Sequence, residues 1–190
     1  MRTARPRRAD AARNIARIVS AARSCLGRDP GASIDDIAKA AGVGRMTLYG
    51  HFANRAELVE AALADALRAG EEALAAVDLT GDAREALTRL LDSSWALVAE
   101  SATLLTAAQE TLPAERIRQL HAAPAQRVED LVRRGQEQGV FRTDLPMTWL
   151  VNVVHYVLKG AAEETRAERL EPERAAEVVT ATVLSVLSPR

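Results

Sequence analysis

The residues best equipped for chemistry in this sequence stand at alternate positions of one short stretch, AGVGRMTLYGHF, residues 41–52. Arg45, Thr47, Tyr49 and His51 supply a guanidinium, a hydroxyl, a phenol and an imidazole. The chain is poor in aromatics, with two Trp, two Tyr and two Phe, yet Tyr49 and Phe52 both fall here. If the stretch is helical, Leu48 and Phe52 are four apart and turn inward with Val43, which leaves the polar four largely outward. Packing gives no reason for such a face, but nucleic acid does. Arginine pairs with guanine edges, and threonine meets a base or a phosphate. Tyrosine and histidine hold phosphate oxygens. Read in isolation, the same residues also fit a half-buried hinge tyrosine and a surface histidine.

Catalytic alternatives find less support. The phosphate loops G-x-x-x-x-G-K-[ST] and G-x-G-x-x-G are absent, as are G-x-S-x-G and H-E-x-x-H. An enzyme would have to use His121 or His155 with Glu110, Glu115 or Glu163. The three histidines are scattered and form no metal set. No catalytic residue, metal ligand or cofactor is expected. Cys25 is the only cysteine and reads as a buried structural thiol.

The elements that must position the polar stretch are legible around it. Ala11, Ile15, Ile18, Ala22 and Cys25/Leu26 recur every three or four residues, which predicts a helix over 10–26. GRDPGAS, residues 27–33, breaks it. Ser33 has the position of an N-cap, with Asp36 three residues on, and a helix over 34–41 follows. Gly42 is placed to end that helix in the left-handed conformation. Gly44 is a permitted but weaker N-cap for a third helix over 45–51. Asn54 and Glu57 cap a fourth. Two short helices joined by a Gly-containing turn fit a helix-turn-helix.

Charge agrees with this layout. Residues 1–60 hold eleven Lys/Arg and six Asp/Glu, a balance of +5, against fourteen and twenty, or −6, in the remainder. The chain opens with MRTARPRR, four arginines before any acid. Such an arm suits a polyanion, or is a solvated tail. No apolar run approaches the roughly 18–20 residues of a membrane helix, so no membrane partner is expected and the cytoplasm is the expected compartment.

SIDDIAKAAGVGRMTLYGHFANRAELVEAAL resembles the DNA-binding segment of TetR-type transcriptional regulators. That pattern runs T-x-x-x-I-A-x-x-A-G-V-S-x-x-x-[LI]-Y-x-[HY]-F, then a lysine-containing cap and a fourth helix. The likeness covers residues 10–65. It implies that Ser33 touches a phosphate, that Lys39 is on the exposed side of its helix, and that Arg45, Met46, Thr47 and Leu48 open the recognition helix. Tyr49 and His51 match phosphate-holding residues, and Arg55 stands where a phosphate-contacting lysine is common. Gly44 departs from the usual Ser or Thr, and one phosphate contact goes with it. Met46 replaces a small residue; gap filling is preferred here over a thymine contact.

The remaining residues predict helices over 83–99, 102–111, 114–134 (divided or kinked at Pro124), 147–166 and 172–187. The fold class is all-α. A domain of residues 1–55, with the basic arm and a three-helix helix-turn-helix unit, precedes a helical ligand-binding and dimerisation domain of residues 56–190. The segment GVFRTDLP between helices is also common among TetR relatives. The last two helices carry wide apolar stripes: Leu150, Val151, Val154, Val157, Leu158 and Ala161, then Ala176, Val179, Val183 and Val186/Leu187. The resemblance implies that they form a four-helix homodimer interface. Trp95, Gln109, His121, Trp149, Asn152, His155 and Tyr156 are polar or aromatic residues stranded on apolar helices, hence candidates for a small-molecule site. The function that follows is a dimeric regulator, a repressor, bound to palindromic double-stranded operator DNA and released by a hydrophobic or amphipathic inducer. The alternative is a helical protein-binding scaffold, which leaves the outward Arg-Thr-Tyr-His face unexplained.

Overall fold

The computed structural model describes residues 4–189, with side chains from residue 10 onward. Among the described residues all regular structure is helical. The helices are α1 (Ala4–Arg28), α2 (Ile34–Ala41), α3 (Arg45–Tyr49), α4 (Arg55–Leu74), α5 (Ala83–Thr111), α6 (Ala114–Leu120), α7 (Ala122–Glu137), α8 (Met147–Arg166) and α9 (Pro172–Leu187). The all-α expectation holds, and the bounds of α2, α8 and α9 agree with the periodicity.

α1 begins at Ala4, six residues before its expected start, and three further elements differ for local reasons. The expected break near residue 100 does not occur, and α5 runs on through Glu100–Ser101–Ala102. No Gly or Pro stands there to stop it, and Ser101 satisfies its hydroxyl on the Leu97 carbonyl one turn back. The long helix over 114–134 divides at His121 rather than Pro124. Pro124 then falls in the first turn of α7, where a missing N–H costs nothing. The third helix ends at Tyr49, two residues early, because Gly50 and His51 form a turn.

The chain forms two compact units. The first comprises Met1–Ala69 and Thr103–Leu120. Its core joins Ile18, Ala22 and Leu26 of α1, Ile37, Ala38 and Ala41 of α2, Leu48 and Phe52 around α3, and Leu58, Val59, Ala62 and Leu63 of α4. Leu104, Ala107 and Ala108 of α5, and Leu112 just after it, complete it. By packing, this unit therefore extends past the expected boundary at residue 55. Cys25 is buried in the same core. Each fully buried Leu or Ile here contributes about 1.5–3 kcal/mol, which holds even the five-residue α3 that propensity alone could not.

The second unit comprises Gly70–Ala102 and His121–Arg190. In it α7 packs on α8 and α8 on α9. Its core includes Leu87, Leu91, Trp95, Val128, Val132, Leu150, Val154, Val179, Val183 and Leu187. The segment GVFRTDLP works as a clamp inside this unit. Phe141 is buried against Gly135, and the N–H groups of Val140 and Phe141 both donate to the Gly135 carbonyl, at 2.8 and 3.0 Å. Arg142 then donates from its backbone N–H to the Leu187 carbonyl at 2.8 Å and from Nη1 to Val186 at 3.2 Å. Those bonds satisfy carbonyls that the end of α9 leaves open. Asp144 holds the Arg142 guanidinium at 2.7 Å.

Candidate DNA-reading surface

The turn between α2 and α3 is built from both ends. At the start of α2 the Ser33 hydroxyl accepts the Asp36 N–H at 3.1 Å, and the Asp36 carboxylate accepts the Ser33 N–H at 3.2 Å. The Ser33 hydroxyl also donates to the Asp36 carboxylate at 2.6 Å, and this bond first, then the one from the Ser33 N–H, holds the Asp36 carboxyl below its usual range. At the other end Gly42 takes φ 63°, ψ 37°. That conformation lets the Gly42 N–H reach the Lys39 carbonyl at 3.1 Å and the Val43 N–H reach Ala38 at 3.0 Å. The paired bonds close α2 and reverse the chain. Arg17, from α1, donates Nη2 to the Ala41 carbonyl at 2.6 Å, so the turn is also tied to the first helix.

Gly44 then opens α3 with no side-chain cap, as its type dictates. Leu48 is fully buried and fixes the helix on the unit's core. Arg45, Met46, Thr47 and Tyr49 are all exposed. Met46 is 82% exposed, so the preferred gap-filling role is wrong: Leu48, not Met46, occupies the core side of this short helix. The thioether stands free on the same surface as Thr47. Tyr49 is 38% exposed. His51 is half-buried in the turn after α3.

Two arginines have partners that spacing did not announce. Arg45 places Nη1 2.7 Å from Asp35 Oδ2 of α2, and its guanidinium carbon lies 5.5 Å from the centroid of the Tyr49 ring. Arg55 turns back to the loop between α1 and α2, donating Nη1 to the Ala32 carbonyl at 2.5 Å and Nη2 to Pro30 at 2.7 Å. It therefore braces the loop that presents Ser33. Ser33 and Lys39 are exposed on α2. Asn54 caps α4 as expected, accepting the Glu57 N–H at 3.0 Å, while the Glu57 carboxylate accepts the Ala53 N–H at 2.8 Å. The arginine side chains of the basic arm, Arg2, Arg5, Arg7 and Arg8, lie outside the described residues.

The seven small-molecule candidates are not brought together. Trp95 is buried in the second unit's core, and His121 and His155 are half-buried in that unit. Burial lowers the His155 pKa from its usual 6.5; a bond from Nδ1 to the Val151 carbonyl at 2.8 Å opposes this, and nearby His121 reinforces it. Gln109, Trp149, Asn152 and Tyr156 are exposed instead. Gln109 is, moreover, in the first unit. The reason is the register of α8: Leu150, Val151, Val154, Leu158 and Ala161 face the unit's own core, so Trp149, Asn152 and Tyr156 must face away. With Val179, Val183 and Leu187 of α9, these apolar residues of α8 line this unit's core, against which Val157 and Ala176 are partly buried. What remains outward on α8 is Trp149, 51% exposed, and Tyr156, 62% exposed, seven residues apart on one face.

A capped two-turn helix, a left-handed glycine turn and a short anchored helix with an exposed polar face define a helix-turn-helix unit of the kind that reads DNA. Residues 18–62 match the family model of bacterial regulatory proteins, tetR family. Solved structures share the fold over nearly the whole chain. A TetR family transcription regulator from Marinobacter aquaeolei VT8 is 17% identical, with 97% of this chain and 100% of that one covered and a TM-score of 0.69. The TetR-like regulator LfrR of Mycobacterium smegmatis, solved with proflavine, is 20% identical over 92% of this chain and 96% of its own, with a TM-score of 0.73. The regulator FadR of Bacillus subtilis, solved with stearoyl-CoA, is 15% identical over 90% and 98%, with a TM-score of 0.73. No curated protein sequence matches the chain significantly. The N-terminal segment thus matches the TetR family model, and the chain as a whole shares the fold of these regulators.

Proposed function

We propose that this chain is a homodimeric, sequence-reading transcriptional regulator that represses by occupying a palindromic operator and leaves it when a small molecule binds the second unit. The observation that carries the reading is the exposed row of Arg45, Met46, Thr47 and Tyr49 on a helix anchored by Leu48. In the duplex major groove Arg45 reaches the N7 and O6 of guanine, while Met46 and Thr47 meet thymine methyls or neighbouring edges. Tyr49, His51, Ser33 and Lys39 hold phosphates and set the register. Arg55 supports this surface through the loop it braces.

A dimer would set two such helices about one DNA turn apart, roughly 34–36 Å. The outward face of α8 supports it. Trp149 and Tyr156 are large, apolar and uncovered, and Gly160 on the same side leaves open space for a close helix. Proflavine and stearoyl-CoA, held by two proteins of this fold, support an aromatic or acyl ligand for the second unit. Trp95, His121 and His155 are the residues best placed to meet one. Release then requires the ligand to bind one arrangement of the dimer more tightly than the other.

The test is selection of bound sequences from random duplex DNA at two salt concentrations. A recovered palindrome supports the reading. Binding without a motif, lost at modest salt, refutes it. Tyr49→Phe should weaken all sequences alike, whereas Arg45→Ala should relax preference at one base position.

A further inference from the structure

We propose that Asp35 is a specificity-determining residue of this surface, acting through Arg45. The inference rests on the DNA-reading function proposed above and adds to it a residue on the neighbouring helix.

An arginine on a recognition helix has two competing partners in DNA. The phosphates attract it from any sequence, and a guanine edge attracts it from one. A mobile, unpaired guanidinium serves the first as readily as the second. Arg45 is paired. The Asp35 carboxylate reaches it across the turn at 2.7 Å, and the face of the Tyr49 ring lies 5.5 Å from its centre. One partner comes from α2, the other from α3 itself, one turn on. Together they constrain the plane of the guanidinium and engage Nη1, while leaving other donors of the planar fork for a base.

Charge completes the argument. Asp35 lies in the first turn of α2, yet it is not part of the capping bonds there, which run between Ser33 and Asp36. Its carboxylate is spent on Arg45. An acid beside the reading arginine cancels that residue's general attraction to phosphate. The acid costs affinity for every sequence, and the guanine contact restores affinity for one. Discrimination by a repelling element alongside an attracting one is how a specific interface separates near-equivalent partners. The pair itself is exposed, so its value to folding is small, and the geometry points to a role in selection.

The experiment uses the full-length chain, with sequence selection and affinity measured at 50 and 200 mM salt for wild type, Asp35→Asn, Asp35→Glu and Arg45→Ala. Thermal unfolding run in parallel reports whether each variant is folded. Asp35→Asn is expected to bind random duplex more tightly and to steepen the salt dependence by about one counterion, an additional loss of about 3.5-fold over that salt range. It should relax base preference at the same position as Arg45→Ala and at no other. Asp35→Glu, which keeps the charge, should restore much of the preference. A folded Asp35→Asn protein that keeps the wild-type preference, or loses it equally at every position, overturns the proposal while leaving DNA reading intact. A wild-type protein that selects no motif overturns both together.

Discussion

Gly42→Ala tests the turn on which the whole surface depends. Gly42 sits at φ 63°, ψ 37°, where an L side chain costs about 1–2 kcal/mol. A Cβ there would also stand 2.7 Å from Arg17 Nη2. The guanidinium is a flexible tip and can swing away, but it then gives up the bond to the Ala41 carbonyl at 2.6 Å. A charge-assisted bond in a part-buried place contributes about 1–2 kcal/mol. Alanine recovers roughly 0.4–1 kcal/mol by restricting the unfolded chain. The net loss is about 2 kcal/mol, a fall in Tm of roughly 4–8 °C for a chain of this size. The two causes separate in a double-mutant cycle measured by urea unfolding. In an Arg17→Ala background the clash has no partner, so Gly42→Ala should cost only the backbone strain less the entropy gain, about 0.5–1 kcal/mol. A coupling near 1 kcal/mol is therefore expected. If Gly42→Ala costs the same in both backgrounds, or stabilises in either, the account of the turn is refuted.

Three further outcomes follow from the second unit. Gly135→Ala, in the last turn of α7, should gain up to about 1 kcal/mol from propensity, yet its Cβ would fall 2.0 Å from Phe141 Cδ2; displacing a ring buried in the clamp should reverse the sign, with a net loss of about 1–3 kcal/mol by denaturant unfolding. Glu168 adopts φ 58° just past α8, so Glu168→Gly should stabilise by about 0.5 kcal/mol, and an unchanged or lowered midpoint would count against it. The lowered pKa of His155 means that the unfolded chain takes up its proton first as pH falls below 6.5. The stability contributed by the neutral imidazole is present above 6.5 and is lost as pH falls toward the folded-state pKa. His155→Gln should flatten stability against pH in that window, and an equal slope in both proteins would refute the burial argument.

What the sequence determined by itself is local. The Ser33 and Asn54 caps, the left-handed Gly42 and the bounds of α2, α8 and α9 follow from bonds and periodicities that span a few residues. The exposed polar face of α3 followed from the same spacing once Leu48 and Phe52 were turned inward. Tertiary structure decided which partners meet. Arg55 was legible as a cation beside DNA, but only the approach of the α1–α2 loop shows its donors committed to Ala32 and Pro30. Arg17 reaches Ala41 across 24 positions, and Asp35 reaches Arg45 across ten, with no pattern to mark either. Met46 reads as core by its type and is exposed because a five-residue helix has one buried side, which Leu48 already fills. The same arithmetic turned Trp149 and Tyr156 outward. An apolar stripe states that a helix has a face to bury; whether its own subunit or a second copy covers that face depends on how neighbouring helices are rotated, and that rotation is a property of the packed molecule.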